Sequence, residues 1–415
     1  MEKEIVEKIN GIVGSRREEI IHFTKLMVKE LSENPPGDEA GVAKLIEKQA
    51  LRWGLPKPEV WSKKANRPNL IFKIKGSGNG KTLIFNGHID TKPVGNIDKW
   101  TVDPYNPEII DGKLYGRGST DMKSGIAGII AAAMAILNSR IKLNGNIILA
   151  LSADEEAGAG YGAKFLVEKG LKGDAILIAE PSGIEKDFDS LGLACRGAIL
   201  GKVVVYGTQM HSSISDQGGC INASVKMAKV LVEFAENLKK CLHYKPHYLY
   251  PGGPTINPGV ILDGGVYYGV IPGVASFGFD IRVIPGMDLG RTIKDIKNFL
   301  NKLMKKDKDL KAELVLEKAP LDDLRPVEIS KEHPLVRSCI EAEKSVLGIK
   351  PKLYGVPFST DAIFFANKLN IQTIPSFGPG LIKLAHAPDE YVEVEAIIDS
   401  AKIFALSAVE YLNYH

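Results

Sequence analysis

Five short segments of this sequence carry imidazole or carboxylate groups next to apolar or glycine-rich runs. They are Phe85-Asn86-Gly87-His88-Ile89-Asp90, Gly116-Arg117-Gly118-Ser119-Thr120-Asp121-Met122-Lys123, Ser152-Ala153-Asp154-Glu155-Glu156, Ala179-Glu180-Pro181 and Leu384-Ala385-His386-Ala387-Pro388. Together they offer His88, Asp121, Glu156, Glu180 and His386 as metal ligands. Imidazole with carboxylate and no thiolate suits zinc, and also cobalt or manganese. Two such ions sharing one carboxylate can hold a water, lower its pKa and clamp both oxygens of a tetrahedral intermediate. A single His or Glu is ordinarily a surface or satisfied core residue. The run Asp154-Glu155-Glu156 weighs against that reading here. Three adjacent acids at a buried strand end repel one another unless cations neutralise them.

These segments need a scaffold that brings them together. The first half of the chain alternates strand patterns (69–75, 81–89, 146–153, 175–179) with helix patterns (124–138, 164–169). That alternation predicts an α/β fold with helices covering both faces of a sheet. In such sheets chemistry collects beyond the carboxyl ends of the strands. The rhythm changes near Leu193. A long strand pattern at 198–206 precedes an amphipathic helix at 223–240, a Pro/Gly-rich loop at 246–254, and strands around Val260 and over 274–284. A second amphipathic helix at 289–305 and a strand at 312–317 complete a compact α+β unit. Helix–strand alternation resumes at His333, with helices over 333–347 and 361–369, a strand at 372–375 and a closing helix from Val394. The economical reading is a discontinuous α/β catalytic domain, residues 1–191 and 321–415, with a smaller α+β domain, residues 192–320, inserted into it.

Bulk properties agree with an enzyme and exclude other classes. The chain has 415 residues, which favours two domains over one core. Hydrophobic residues make up 44% and charged residues 25%, as in ordinary globular proteins. A formal net charge of +3 gives no reason to expect nucleic acid or a membrane surface as partner. Cys195, Cys220, Cys241 and Cys339 form no C-x-x-C pair, so no disulfide framework is expected. The first five residues read as a charged helix start rather than a secretory signal. The apolar run 126–137 is too short to span a bilayer and reads as a buried helix. A cytoplasmic protein is the expectation.

The order and wording of these segments resemble the metallopeptidase family that includes acetylornithine deacetylase, succinyl-diaminopimelate desuccinylase, aminoacylase and bacterial glutamate carboxypeptidase. The resemblance runs from about Asn69 to Tyr391: H-x-D, then Y-G-R-G-x-x-D-M-K, D-E-E, E-P-S and a late A-H. The stretch Lys99-Trp100-Thr101-Val102-Asp103-Pro104-Tyr105 also looks like one found in desuccinylase-like members. The resemblance implies a zinc-exopeptidase-like catalytic domain with a mixed sheet covered by helices, and an inserted lid and dimerisation domain. It implies two divalent ions per chain, with Asp121 bridging, His88 and Glu180 on one ion and Glu156 and His386 on the other. Asp90 would orient the ring of His88. Glu155 would be the general base, taking a proton from water and passing it to the leaving amine. The peptide bond after Asp121 would be cis.

The same resemblance assigns roles in the inserted domain. His211, in Tyr206-Gly207-Thr208-Gln209-Met210-His211-Ser212-Ser213, would stabilise the oxyanion, in dimeric members from the partner subunit. Arg282, in Asp280-Ile281-Arg282, would grip a substrate carboxylate through two parallel hydrogen bonds. Asn257 would be a polar partner for the substrate, and Thr360, in the 355–361 segment, would belong to a substrate loop. Solvated strand-face and capping roles compete with those of Arg282 and His211. A homodimer is implied, with the 223–240 helix and the strand near Val203 as its contacts. The substrate would be a small N-acyl amino acid, with a short peptide as the alternative and a non-catalytic metal-binding scaffold as a third reading. Residues 76–82 miss the phosphate-loop spacing by one residue and read as a hairpin turn. Cys241, His243 and His247 flank Pro246 and read as a loop rather than a metal site. The Lys-rich run 302–308 reads as a solvated helix end.

Overall fold

A computed structural model describes residues 2–77, 80–318 and 323–414. The expected domain boundary at 320/321 falls on residues 319–322, outside the described residues. Packing divides the chain into a first unit, Met1–Ala194 with Glu328–Val356 and Thr360–His415, and a second unit, Cys195–Val327 with Pro357–Ser359.

The first unit is built on a mixed six-stranded sheet ordered Glu59–Ser62, Pro68–Ile74, Asn146–Ser152, Thr82–His88, Ala175–Ile178, Gln372–Ile374. Pro68–Ile74 pairs antiparallel with both its neighbours, and the remaining three pairings are parallel. Strand Thr82–His88 is buried from Leu83 onward, as a parallel strand covered on both faces must be. The 76–82 segment is not a hairpin, although residues 78 and 79 lie outside the described residues. Asn146–Ser152 lies between Pro68–Ile74 and Thr82–His88, so the segment links strands that are not neighbours.

Helix Ser124–Ser139 is apolar on nearly every side and packs on the closing helix Val394–Tyr414. By length and composition Ser119–Ser139 could cross a membrane, but 89% of that stretch is buried inside the protein. Its glycines explain how closely it lies. A Cβ on Gly125 would come within 2.2 Å of the Ala179 carbonyl oxygen, so no other residue fits there without displacement. Three N-terminal helices that sequence patterning did not delimit, Lys3–Ser15, Arg17–Lys29 and Ala40–Arg52, bury Ile9, Val13, Phe23, Met27 and Ile46.

The second unit has a four-stranded antiparallel sheet ordered Thr255–Gly264, Val274–Val283, Gly197–Tyr206, Lys311–Leu316. Alternation along Val274–Val283 buries Phe277, Phe279, Ile281 and Val283 on one face. Phe234, from helix Ala223–Cys241, meets Phe277 edge-on at 5.5 Å and Phe279 at a tilt at 5.4 Å, and Phe299 of helix Leu289–Lys306 closes the cluster at 6.2 Å. Asn222 and Asp288 cap the two helices through Val225 N–H and Arg291 N–H. The strand containing Val203 is paired on both sides, so it is not a free edge. The free edges are Thr255–Gly264 and Lys311–Leu316.

Candidate metal centre

Strand Thr82–His88 pairs in parallel with Asn146–Ser152 on one side and Ala175–Ile178 on the other. His88 is level with Ser152, and Asn86 with Ile178. The chain therefore leaves three adjacent strands at one edge, delivering His88 and Asp90, then Asp154 to Glu156, then Glu180. Asp121 arrives from the segment Ser119–Lys123 that leads into helix Ser124–Ser139. That segment is held by Glu390, a buried carboxylate accepting from Gly118 N–H (3.1 Å), Thr120 N–H (2.8 Å) and Asp121 N–H (2.9 Å) while paired with Arg117 at 2.6 Å. The Asp121–Met122 peptide bond is cis. His386 follows the turn Ile382–Leu384 and has φ 63°, in the left-handed region.

Two groups of residues bring ligand atoms within 4.8 Å of one another: His88, Asp121 and Glu180, and Asp121, Glu156 and His386. Asp121 belongs to both. Its Oδ1 lies 3.0 Å from His88 Nε2 and its Oδ2 lies 3.1 Å from His386 Nε2. Glu180 Oε1 is 3.5 Å from His88 Nε2, and Glu156 Oε1 is 3.2 Å from His386 Nε2. The far nitrogen of His88, Nδ1, sits 3.0 Å from the Asp90 carbonyl oxygen and 3.5 Å from its carboxylate, which leaves Nε2 for a metal.

The donor set fits two divalent ions electrostatically as well as by type. Burial pushes Glu180 up to about 7, with the Asp121 charge adding to it. Burial also raises Glu155 well above the usual carboxylate range, with Glu156, Glu180 and Asp361 reinforcing it against His88. The imidazoles respond in kind. Burial lowers His386, but hydrogen bonds to Asp121 and Glu156 outweigh it and bring it up to about 10. Burial would raise Asp121, yet contacts with His386 and His88 hold it far below the usual range. A cavity that raises Glu155, Glu180 and both imidazoles is short of positive charge, which metal cations would supply.

Glu155 is in neither ligand group, and its carboxylate takes no hydrogen bond from the described residues. Its backbone N–H and that of Glu156 donate to the Asp90 carboxylate, each at 3.1 Å. Sequence reasoning missed several supports. Besides Glu390 they are Lys92, whose ammonium donates to the Glu156 carbonyl and lies 3.3 Å from Oε2, and Asp361, hydrogen-bonded by Ser152 at 2.8 Å. Glu390, four residues after His386, was the one with a positional hint.

The remaining predicted residues are placed as follows. Thr360 is buried, and its hydroxyl accepts from Ala362 N–H at the start of helix Ala362–Leu369. In the second unit, Arg282 pairs with Asp280 of its own strand at 2.8 Å, and Asn257 lies opposite Asp280 in the register. These three share the sheet face away from the Phe277–Phe279 core. His211 is exposed on a two-residue strand, Met210–His211, paired with Val270–Ile271, and its Nδ1 accepts from Ser213 N–H at 3.2 Å.

The sequence profile described as "Peptidase family M20/M25/M40" matches residues 84–410. An uncharacterised metallohydrolase of Methanocaldococcus jannaschii is 30% identical over 81% of this chain and 83% of its own. A succinyl-diaminopimelate desuccinylase of Pelagibacter ubique is 29% identical over 88% of this chain and 92% of its own. Among solved structures, an M20-family metallo-carboxypeptidase of Sulfolobus solfataricus superimposes with a TM-score of 0.76 at 20% identity, covering 95% of this chain and 99% of that one. A di-peptidase of Saccharomyces cerevisiae gives 0.76 at 16% identity over 98% of each chain. A dinuclear metal-binding M20 peptidase of Bacillus subtilis gives 0.70 at 16% identity, covering 97% of this chain and 100% of that one.

Proposed function

The chain belongs to peptidase family M20/M25/M40 and is a metal-dependent hydrolase, and on that premise we propose that it cleaves the amide bond of a small N-acyl amino acid, as acetylornithine deacetylase and succinyl-diaminopimelate desuccinylase do. The observation that carries this reading is Glu155, an unligated carboxylate beside two ligand groups that share Asp121. The desuccinylase relative, alike over most of both chains, supports a deacylase over a dipeptidase or carboxypeptidase using the same centre.

In this reading His88, Asp121 and Glu180 would hold one ion, and Asp121, Glu156 and His386 would hold the other. Nitrogen and oxygen donors without thiolate favour zinc, with cobalt or manganese as substitutes. When bound, the ions supply the positive charge that acidifies the attacking water and polarises the scissile carbonyl. Glu155 accepts the proton of that water and returns it to the departing amine nitrogen. Asp90 fixes the ring of His88. Arg282 leaves Asp280 to grip the substrate carboxylate, with Asn257 beside it, and His211 donates to the developing oxyanion. Thr360 holds the start of its helix near the substrate loop.

The second unit, approximating the 192–320 insertion, would act as lid and dimerisation domain. Val260, Ile261 and Leu262 on the free edge Thr255–Gly264 are 57%, 68% and 63% exposed, and Val225 and Val232 of the adjoining helix are 52% and 51% exposed. Apolar residues on an unpaired edge favour pairing with a second copy, which supports a homodimer. Free thiols at Cys220, Cys241 and Cys339 suit a reducing cytoplasm.

The deciding experiment is a hydrolysis screen of metal-reconstituted protein against acetyl-ornithine, succinyl-diaminopimelate, other acyl amino acids and dipeptides. Preference for an acyl amino acid supports the proposal. Preference for dipeptides assigns the same centre to a peptidase. No turnover of any of them overturns both readings.

A further inference from the structure

We propose that Asn34 is a positioning residue for catalysis, whose single carboxamide ties the carboxylate that orients His88 to the loop that carries Glu155. The proposal rests on the reading of Glu155 as base.

Asn34 is buried, and its Nδ2 donates to Asp90 Oδ2 at 2.8 Å and to Asp154 Oδ1 at 2.9 Å. Both neighbours are carboxylates, which only accept when ionised, so the nitrogen rather than the oxygen must face them and both its hydrogens are used. The two carboxylates do different work. Asp90 stands behind His88 Nδ1 and accepts from the N–H groups of Glu155 and Glu156. Asp154 immediately precedes Glu155, has φ 63° in the left-handed region, and accepts from Tyr161 N–H at 3.0 Å.

Without a donor between them, two buried anions repel, and the base and the imidazole ligand drift apart. Arg67 offsets Asp154 at 2.8 Å from its other partners, but it shares its charge with Glu39 at 2.6 Å and makes no contact with Asp90. Among the described residues Asn34 is the side chain that bridges both. Its own backbone is fixed to the same strand exit, with its N–H donating to the Thr91 carbonyl at 2.8 Å. Both hydrogens of its Nδ2 are taken up by Asp90 and Asp154, so Asn34 acts through these carboxylates rather than on metal or substrate. Partners one layer behind metal ligands typically contribute 10–100-fold in affinity or rate.

The test compares wild type with Asn34→Asp and Asn34→Ala, measuring kcat, KM, thermal midpoint and metal affinity by chelator competition. Asn34→Asp keeps the shape but replaces the donor with a third carboxylate. Asn34→Ala removes the carboxamide and adds no charge. Both are expected to fold, to lose kcat about 10–100-fold with KM little changed, and to bind the ion on the His88 group more weakly by a similar factor. Folded Asn34→Asp with wild-type kcat and metal affinity overturns the proposal. So does loss of the fold in both variants, which would assign Asn34 to stability. If wild type hydrolyses nothing, the functional reading has failed separately, and the metal affinities still judge Asn34.

Discussion

Glu155 and the ligands make different demands at the scale of single residues. Because Glu155 belongs to neither ligand group, Glu155→Gln is expected to retain both ions and lose roughly three or more orders of magnitude in kcat, an interaction made only in the transition state. Metal analysis and steady-state kinetics on one preparation check it, and near-normal turnover would remove Glu155 as base. Saturating metal content should approach two per chain, and full activity at one would exclude a two-ion centre. A residue far from the chemistry gives a pH test. Glu343 is buried on helix Pro334–Leu347, neither carboxylate oxygen has a partner among the described residues, and burial pushes it up to about 9, the Asp189 charge adding to this. Between about pH 4.5 and 9 the folded chain holds a proton that the unfolded chain has released. Its effect is therefore a loss of stability as pH rises across that window. Glu343→Gln should remove the loss, its unfolding free energy gaining on wild type from pH 5 to 9 by at most about 1.4 kcal/mol per pH unit. Parallel curves for the two proteins would show that Glu343 ionises in the fold.

At the scale of elements, the centre depends on how closely a helix lies on a strand exit. Gly125 lies four residues after Asp121, and a Cβ there would meet the Ala179 carbonyl oxygen, beside Glu180, at 2.2 Å. Gly125→Ala must therefore push the Asp121 helix away from the Glu180 strand. Overpacking of this kind costs about 1–3 kcal/mol, and it should also weaken metal binding at the His88–Asp121–Glu180 group. Chelator competition and thermal melting measure the two effects. A variant with wild-type metal affinity would show that the helix can shift without moving Asp121.

At the scale of the whole molecule, the proposed dimer and lid make linked predictions. Ile261→Lys places a charge on the exposed edge and should yield a monomer by sedimentation. A variant as dimeric as wild type would exclude that edge as the contact. If His211 acts across the interface, mixing inactive His211→Ala and Glu155→Ala chains should restore part of the activity, since some dimers then carry one intact site. Absence of recovery after verified subunit exchange would place His211 within its own chain, or outside catalysis.

The sequence by itself determined the chemistry and the order of the elements. His88, Asp121, Glu156, Glu180 and His386 could be named as candidate ligands because their segments border apolar or glycine-rich runs, and a parallel sheet brings strand exits to one edge. The insertion was legible because the helix–strand rhythm changes and later resumes. Tertiary structure decided what depends on neighbours distant in sequence. That Thr82–His88 is flanked by Asn146–Ser152 and Ala175–Ile178, rather than hairpinned to Pro68–Ile74, is a matter of pairing partners and not of local pattern. The free edges lie at Thr255–Gly264 and Lys311–Leu316 instead of near Val203 for the same reason. Glu390, Asn34 and Lys92 support the centre from positions up to 273 residues from the groups they hold. A lone carboxylate, amide or ammonium carries no periodic signal, and its role exists only once the fold has put its partner within hydrogen-bond reach.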